Sequence, residues 1–483
     1  MKAKLSIVAA AACVLAMSAQ AADDLVSAFK EGKLDGRVRA QYFNTDWDDN
    51  SKATGKNGPD ANGLAVGGSL IYKTAPLHGF SVGTGLYTTQ NPNGLTDAND
   101  GGFTASNTSG TATTSKDLFL RDATRPSAAP VAATYGAGYA VLAEAYLQYD
   151  ISKTKAKAGR MIMSNPWISP NDTKMIPVAV EGYEAISTDI ANTTIQLDYA
   201  QKIKERGMTY FGNMADTGDT PDAIALHYTT HYGAAQGSNG DAPGVGVIGI
   251  KNKSIDNLEL QAWGMHWADI VDQAILEANY GIKAGDATVS FGGRYMKQND
   301  KGAGSIIKPM GVATTSAKNG DSDNSVDTYL FSLRTVASYH AAKLTLATSH
   351  TGNGGDIIAP WRGFPTEGYT RSMTQTDWNA NTRSYKGQLD YDFNALVSGM
   401  SALVSYSYYN RDESKKPYQS MTDRAFQNGD THQTNLDVMY KLSGSWKGTD
   451  LKIRLMDQNN NTTTLYAKDT ANREMRLEAN YRF

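Results

Sequence analysis

Residues 474–483, EMRLEANYRF, decide the fold of this chain. Every second residue from Met475 to Phe483 is apolar or aromatic, and every residue between them is charged or an amide. A period of two residues predicts a β-strand with one apolar and one polar face. Such a strand fits either a membrane barrel or the edge of a soluble sheet, so the rest of the chain has to decide.

The first 21 residues have the pattern of a secretory signal peptide. Lys2 and Lys4 give a positively charged start, residues 5–17 are largely apolar, and residues 19–21 (AQA) form a small-residue cleavage site. We therefore expect a signal peptide at residues 1–21 and a mature chain of residues 22–483. Cys13 is the only cysteine and lies in the signal, so the exported protein would fold without disulfides.

Composition excludes two classes of protein. The formal net charge is −3, which argues against a nucleic-acid partner. No run of about eighteen apolar residues follows the signal, which argues against membrane-spanning helices. The negative mean hydropathy does not exclude a membrane barrel, because a barrel strand turns only every second residue towards lipid.

Alternating segments recur from GRVRAQYF (36–43) to the carboxyl terminus, and long polar tracts alternate with short turns between them. Residues 223–232 fit either an extra hairpin or part of a loop, and we favour the loop because it keeps the direction of later strands consistent. The pattern predicts an all-β fold, a transmembrane antiparallel up-and-down β-barrel of about 18 strands, with long extracellular loops and short periplasmic turns. Tyrosines near strand ends fit the aromatic girdles of such a barrel better than a soluble β-sandwich.

Three further stretches have a recognisable pattern: RAQYFNTD (39–46), KAGRMIMSNPWISPNDTKMIPVAVEGYEA (157–185) and TRSYKGQLDYDFNALVSGMSALVSYSY (382–408). Together they resemble the OprD-type family of outer-membrane porins. The order and spacing of the three resemble an epsilonproteobacterial-like member of that family, although Gln388 stands where the pattern commonly has a basic residue. The resemblance implies a barrel of about eighteen strands that passes small carboxylates, amino acids and related solutes. It also implies a file of arginines and lysines in the lumen and a constriction formed by inward-folded loops.

If the apolar faces meet lipid, the opposite residues line water. The basic residues that we predict to line the pore are Arg37, Arg39, Arg294, Arg334, Lys343, Arg383, Lys386, Lys452, Arg454, Arg476 and Arg482. The planar fork of arginine pairs with a carboxylate at two points, which suits the passage of an organic anion. The alternative is that these charges pair with acidic neighbours and only stabilise the lumen.

Two further groups of residues have predicted roles. The resemblance places Asp172 and Lys174 on the constricting third loop, and Asp356 and Asp377 could supply an opposing negative wall. Tyr481 and Phe483 are expected to serve membrane assembly, as the signal read by the barrel-assembly machinery. Ordinary solvated loop charges are the alternative for the four loop residues.

Enzymatic and metal sites find little support in the sequence. None of the seven histidines lies in a serine or acidic signature of a hydrolase. His227 and His231 are four apart, but in a strand or loop this spacing does not make the close one-face pair that a helix would give, so no metal site is predicted. The acidic loops at 46–49 and 97–100 could hold calcium, although a solvated surface is the ordinary explanation. No cofactor is expected.

The sequence thus predicts a passive, water-filled porin of the bacterial outer membrane that favours small organic anions such as carboxylates. Its expected partners are outer-membrane lipid, lipopolysaccharide, the barrel-assembly machinery and small solutes. It would act either as a monomer or as a homotrimer. A general non-selective trimeric porin is the first alternative, and a soluble exported β-rich binding protein or enzyme is the second.

Overall fold

The chain folds into a closed antiparallel barrel in the computed structural model, which describes residues 22–47, 61–92, 118, 138–217, 220, 222–233, 241–307, 325–364, 368–412, 429–461 and 471–483. Each barrel strand pairs with its neighbours in chain order, and the last strand returns to the first. The predicted all-β barrel is confirmed. Eighteen strands form its wall within the described ranges.

The described residues contain nineteen strands and three α-helices. The strands are β1 (Lys33–Trp47), β2 (Ala61–Lys73), β3 (Phe80–Gln90), β4 (Tyr139–Ile151), β5 (Thr154–Met161), β6 (Ala179–Ser187), β7 (Thr193–Lys204), β8 (Gly212–Asn213), β9 (Val245–Ile255), β10 (Leu258–Trp267), β11 (Val271–Ala284), β12 (Ala287–Asp300), β13 (Thr328–Tyr339), β14 (Ala342–Thr351), β15 (Arg383–Asp392), β16 (Met400–Asn410), β17 (Asp430–Lys441), β18 (Thr449–Asn461) and β19 (Asn472–Arg482). The helices are α1 (Leu25–Lys30), α2 (Asp222–His231) and α3 (Ala303–Ile307), and a 3₁₀ turn spans Gly444–Trp446. The two-residue β8 pairs only with the end of β7, and β7 pairs directly with β9, so β8 lies outside the wall.

The seam of the barrel is the pairing of β19 with β1. Its register sets Arg37 opposite Arg482, Arg39 opposite Asn480 and Phe43 opposite Arg476. The final strand therefore closes the barrel on the GRVRAQYF segment. Closure matters because a membrane offers no water to unpaired backbone groups at a sheet edge.

The two faces of the wall differ as the sequence alternation predicts. Val38 in β1 is 51% exposed on the outside, whereas its neighbour Arg39 is 2% exposed on the inside. The same alternation leaves Leu70 of β2 and Leu477 of β19 exposed on the outer face. An apolar outer band is the surface that a barrel presents to lipid. No helix among the described residues is long and apolar enough to cross a membrane.

Short turns and long connections lie at opposite ends of the barrel. The short end has tight turns such as 256–257 and 285–286, where Asn257 and Gly285 adopt the left-handed conformation that two-residue hairpins require. The other end carries long connections such as 162–178 and 352–382. Residues 268–270, between β10 and β11, are a short exception at the long end.

Two local predictions differ from the structure. Residues 223–232, which we favoured as a loop, lie mostly in helix α2. The rings of His227 and His231 stack on this helix, with their centroids 4.9 Å apart. The prediction that these two histidines do not make the close pair of a helix is therefore wrong, because the segment is helical. Strand β9 is not among the strands that the sequence analysis assigned.

The long connections fold into the lumen and bury an apolar cluster against part of the wall. Trp167 and Trp361, from two connections, are 0% exposed and lie with Trp267 of β10. The Trp267 and Trp361 rings are 4.7 Å apart, and the Trp361 indole donates to the Met214 carbonyl at 2.7 Å. The lumen is therefore filled by packed loops on the side of β5 to β13.

Deletion of Phe483 tests the seam. The backbone of Phe483 donates to the Gly36 carbonyl at 3.1 Å and accepts from the Gly36 N–H at 2.9 Å. Deletion removes both hydrogen bonds and the aromatic end of the strand, so we expect several-fold less heat-modifiable, folded barrel in outer-membrane fractions. Phe483→Tyr keeps both features and serves as the control. Equal amounts of folded protein from the deletion and the control would contradict this account.

Candidate functional site

The seam wall carries a basic cavity of about 400 Å³. Inward positions of β1, β17, β18 and β19 line it, together with the connection between β5 and β6, hereafter the third loop (162–178). Its cationic side chains are Arg39, Lys441, Lys452, Arg454, Arg476 and Arg482, and its acidic ones are Asp172, Asp450 and Glu478. The cavity is thus lined by twice as many cations as carboxylates.

Asp172 ties the third loop to the seam. Arg39 Nη1 donates to Asp172 Oδ1 at 2.8 Å, and Arg37 Nη2 donates to the same oxygen at 3.2 Å. Arg37 Nη1 also contacts the second carboxylate oxygen, so two guanidinium groups hold one carboxylate. Charge-assisted bonds of this kind are stronger than neutral ones, and they fix the loop beside the wall.

Arg39 has partners on three sides. Besides Asp172, its Nε donates to Asn480 Oδ1 at 2.7 Å, its Nη2 lies 3.2 Å from Glu478, and its Nη1 donates to the Lys174 carbonyl. A guanidinium that is 2% exposed and bound on three sides is positioned as a structural latch. Arg37 and Arg39 therefore serve loop attachment in this conformation.

Lys174 does not project into open water. Its side chain is buried and its ammonium lies 3.7 Å from the centre of the Phe43 ring. The guanidinium of Arg476 lies 4.9 Å from the same ring. Phe43 is thus a contact shared by two cations, one from the loop and one from the wall.

Four of the predicted basic residues on β18 and β19 carry ion pairs. Arg454 lies 2.8 Å and Lys452 3.6 Å from the same Asp437 carboxylate. Arg476 pairs with Glu474, and Arg482 pairs with Asp450. Because the Asp437 carboxylate faces two cations, it neutralises only one of the two positive charges there.

A second cationic contribution comes from the connection between β14 and β15, hereafter the seventh loop (352–382). Arg371 stacks on Phe364 at 3.4 Å, and Lys386 of β15 donates to the Arg371 carbonyl at 2.8 Å. Within the part of the chain that the structure describes, neither side chain forms an ion pair with a carboxylate. Burial, followed by the like charge of Arg454, lowers the pKa of Arg371 to about 9, and Arg476 acts in the same direction. Arg371 remains protonated at neutral pH, close to the cations of the seam wall.

The predicted residues Arg294 and Arg334 belong to a separate cluster. Arg294 is 1% exposed and lies 2.5 Å from Glu277, which also accepts a hydrogen bond from Tyr369 at 3.1 Å. Arg334 lies 4.2 Å from the Tyr369 ring centre and donates to Asn279 at 3.0 Å. This cluster attaches the seventh loop to β11 and β13.

The remaining predicted wall cations point in opposite directions. Lys343 lies on the inner face, 3.4 Å from Asp390. Arg383 is exposed on the face of β15 that also carries the exposed Tyr385 and Leu389, while Ser384 is buried inside. The prediction that Arg383 lines the pore is therefore corrected: its position in the alternation places it on the outer face.

The two predicted acidic residues of the seventh loop do not form an open negative wall. Asp356 is 7% exposed and accepts from the Ala380 N–H at 2.7 Å, and Asp377 is 1% exposed and accepts from Thr370 at 3.0 Å. Buried carboxylates bonded inside their own loop hold its shape. Their predicted role is corrected accordingly, since a solute in the lumen would not reach them in this conformation.

The sequence analysis missed Lys441, Asp437 and Arg371. Lys441 and Asp437 occupy inward positions of β17. They alternate with the apolar Leu436 and Val438, so the same period of two residues could have predicted that they face the lumen. Arg371 lies in an irregular loop, where no alternation of residues shows which way a side chain points.

Metal binding has no support in the described residues, which contain no group of three or more histidine, cysteine, aspartate or glutamate side chains able to hold an ion. The described part of the first acidic loop ends at Trp47, and residues 97–100 of the second lie outside the described ranges. The calcium alternative stays untested at both loops.

A closed barrel with an apolar outer band and a charged lumen defines a channel of the bacterial outer membrane, a porin. The chain belongs to the OprD family of outer membrane porins, whose family model matches residues 132–483. It is a channel and not an enzyme.

Solved structures with the same fold include channels of Pseudomonas aeruginosa and Acinetobacter baumannii. Pseudomonas aeruginosa OpdK, crystallised with vanillate, is 14% identical, with a TM-score of 0.68 over 94% of this chain and 99% of that chain. Acinetobacter baumannii OccAB3 is 16% identical, with a TM-score of 0.66 over 94% and 99%. Pseudomonas aeruginosa OccK2 (OpdF), in complex with glucuronate, is 14% identical, with a TM-score of 0.63 over 94% and 98%. No curated protein matches the chain by sequence.

Asp172→Asn tests the attachment of the third loop. The substitution keeps the size of the side chain but removes the charge shared by Arg37 and Arg39, at a cost on the order of 2 kcal/mol. We expect a looser loop, which single-channel recording would detect as more frequent transitions between conductance levels.

Asp256→Asn is the matched control, because Asp256 is exposed in the tight turn between β9 and β10. Current noise from Asp172→Asn that equals that of the wild type and of the control would show that the loop is held by other contacts.

Proposed function

We propose that this porin favours small organic anions, above all carboxylates, and that they bind transiently at the seam wall. The observation that carries the proposal is the excess of cations around the cavity of about 400 Å³. Arg371 of the seventh loop and Lys386 of β15 add positive charge without carboxylate partners in the described part of the chain. An anion entering this region would compensate charges that the protein leaves uncompensated.

The chemistry of the wall suits passage as well as binding. The planar guanidinium groups of Arg454 and Arg476 can each donate two hydrogen bonds to a carboxylate. Both groups already form ion pairs, Arg454 with Asp437 and Arg476 with Glu474. Competition from these acidic neighbours keeps each site weak. Weak sites in series lower the barrier for an anion and still release it, as conduction requires.

The compounds bound to two structural relatives support the choice of carboxylates. OpdK was crystallised with vanillate and OccK2 with glucuronate, and both compounds carry a carboxylate. These ligands belong to those proteins. The support for this chain is that its own seam wall has the charge that such a group would need.

Several finer predictions rest on the sequence alone and remain proposals. They are the signal peptide at 1–21, which lies outside the described residues, and the epsilonproteobacterial-like character of the chain. Contacts with lipopolysaccharide and the barrel-assembly machinery, and the choice between monomer and homotrimer, also belong here. Native gels in mild detergent would separate the monomer from the general trimeric porin that we considered as the alternative.

Charge substitution at the wall tests the proposed selectivity. In planar bilayers under a salt gradient, we expect the wild-type reversal potential to show anion preference. Arg454→Gln combined with Arg476→Gln should reduce that preference, and several-fold more benzoate or glucuronate should be needed to block half of the current. Both effects follow from the loss of two lumen cations.

Arg473→Gln is the matched control on the same strand as Arg476. Arg473 is exposed at an outward position, with a side chain that is 80% exposed, so its substitution should leave the reversal potential unchanged. Cation preference in the wild type would refute the proposal, as would equal potentials in the double variant and the control.

A further inference from the structure

Helix α1 docks against the rim of the barrel at the end with short turns. The Ala75 N–H donates to the Ala28 carbonyl at 2.9 Å, and the Ala22 N–H donates to the Pro76 carbonyl at 2.9 Å. Both acceptor and donor groups on the barrel side belong to the turn between β2 and β3. The helix is therefore attached to the wall before the chain enters β1.

The barrel stabilises a helix that is too short to form alone. Asp24 caps its first turn by accepting from the Ser27 N–H at 2.7 Å, but six residues are marginal without tertiary contacts. Tyr72 of β2 supplies such contacts. Its hydroxyl donates to the Phe29 carbonyl, and its ring stacks with the Phe29 ring at 6.5 Å and 13°.

The helix leaves one apolar face uncovered. Ala28 is buried against the barrel at 3% exposure, whereas Leu25, Val26 and Phe29 are 63%, 60% and 54% exposed. At positions i, i+1 and i+4 these three side chains lie on one face. A single exposed apolar residue is ordinary, but three on one face of a six-residue helix mark a contact surface.

This face is continuous with the surface that the barrel presents to lipid. Tyr72 occupies an outward position of β2, two residues after Leu70, which is 47% exposed. Leu34, outward in β1, is 54% exposed beside them. Because Phe29 stacks on Tyr72, the apolar face of α1 extends the lipid-facing band past the end of the strands.

We propose that α1 is an interfacial anchor whose apolar face inserts into the periplasmic leaflet, with phospholipid as its occupant. The exposed charges on and beside the helix are Asp23, Asp24, Lys30, Glu31, Lys33 and Asp35, so acidic groups outnumber basic ones. Attraction to anionic headgroups therefore does not drive the contact. Burial of apolar side chains at the boundary between headgroups and acyl chains does.

Site-directed spin labelling of the full barrel in phosphatidylcholine vesicles tests the proposal. Cys13 is the only native cysteine, so single cysteines can be placed in a Cys13→Ser background. Labels at Val26→Cys and Leu25→Cys report on the apolar face. Glu31→Cys, exposed at the end of the same helix, is the aqueous control, and Val38→Cys on the outer wall is the lipid reference.

The readout is the collision rate of each label with oxygen, which concentrates in lipid, relative to a nickel chelate, which stays in water. We expect labels at 25 and 26 to show an oxygen-to-nickel ratio several-fold above that of the control and close to that of the lipid reference. Heat-modifiable migration on gels establishes first that each labelled barrel is folded.

Three results would overturn the anchor. The first is a ratio at 25 and 26 equal to that of Glu31→Cys, which places the face in water. The second is spin–spin broadening that rises with protein density, which makes a second copy of the chain the occupant. The third is insertion only after phosphatidylglycerol is added, which makes the contact electrostatic.

Discussion

The pairing of β1 with β19 is the interaction on which the rest of the structure depends. Without it, two strand edges would expose unpaired backbone groups to lipid, at several kcal/mol for each group. The pairing also fixes register, and with a period of two residues the register decides which side chains meet water. Arg37, Arg39, Arg476 and Arg482 share one inner wall because of this closure.

That wall in turn determines where the loops can attach. Arg37 and Arg39 hold Asp172 of the third loop, whereas Glu277 and Arg334 on another part of the wall hold Tyr369 of the seventh. Some lumen cations therefore stabilise loops, and others remain near the open cavity. The division explains why a basic residue in the wall is not by itself a residue that contacts solute.

Strand positions could be predicted from the sequence, and loop positions could not. Alternation placed Arg39 and Arg454 on the inner face, as the structure has them. The same alternation puts Arg383 with the exposed Tyr385 on the outer face, so the assignment of Arg383 to the pore failed. Asp356, Asp377 and Arg371 lie in irregular chain, where burial depends on contacts that no period encodes. Helix α2 was missed because Ile224, Leu226 and Tyr228 alternate like a strand.

The tryptophan cluster of Trp167, Trp267 and Trp361 fills the side of the lumen opposite the basic seam, so the water path is eccentric. An eccentric path breaks the rotational symmetry of the barrel. A solute whose anionic group faces the seam would turn its remaining substituents towards the packed loops on the tryptophan side. Two mirror-image acids would then present different groups to that side, so an eccentric pore provides a physical basis for stereoselective permeation.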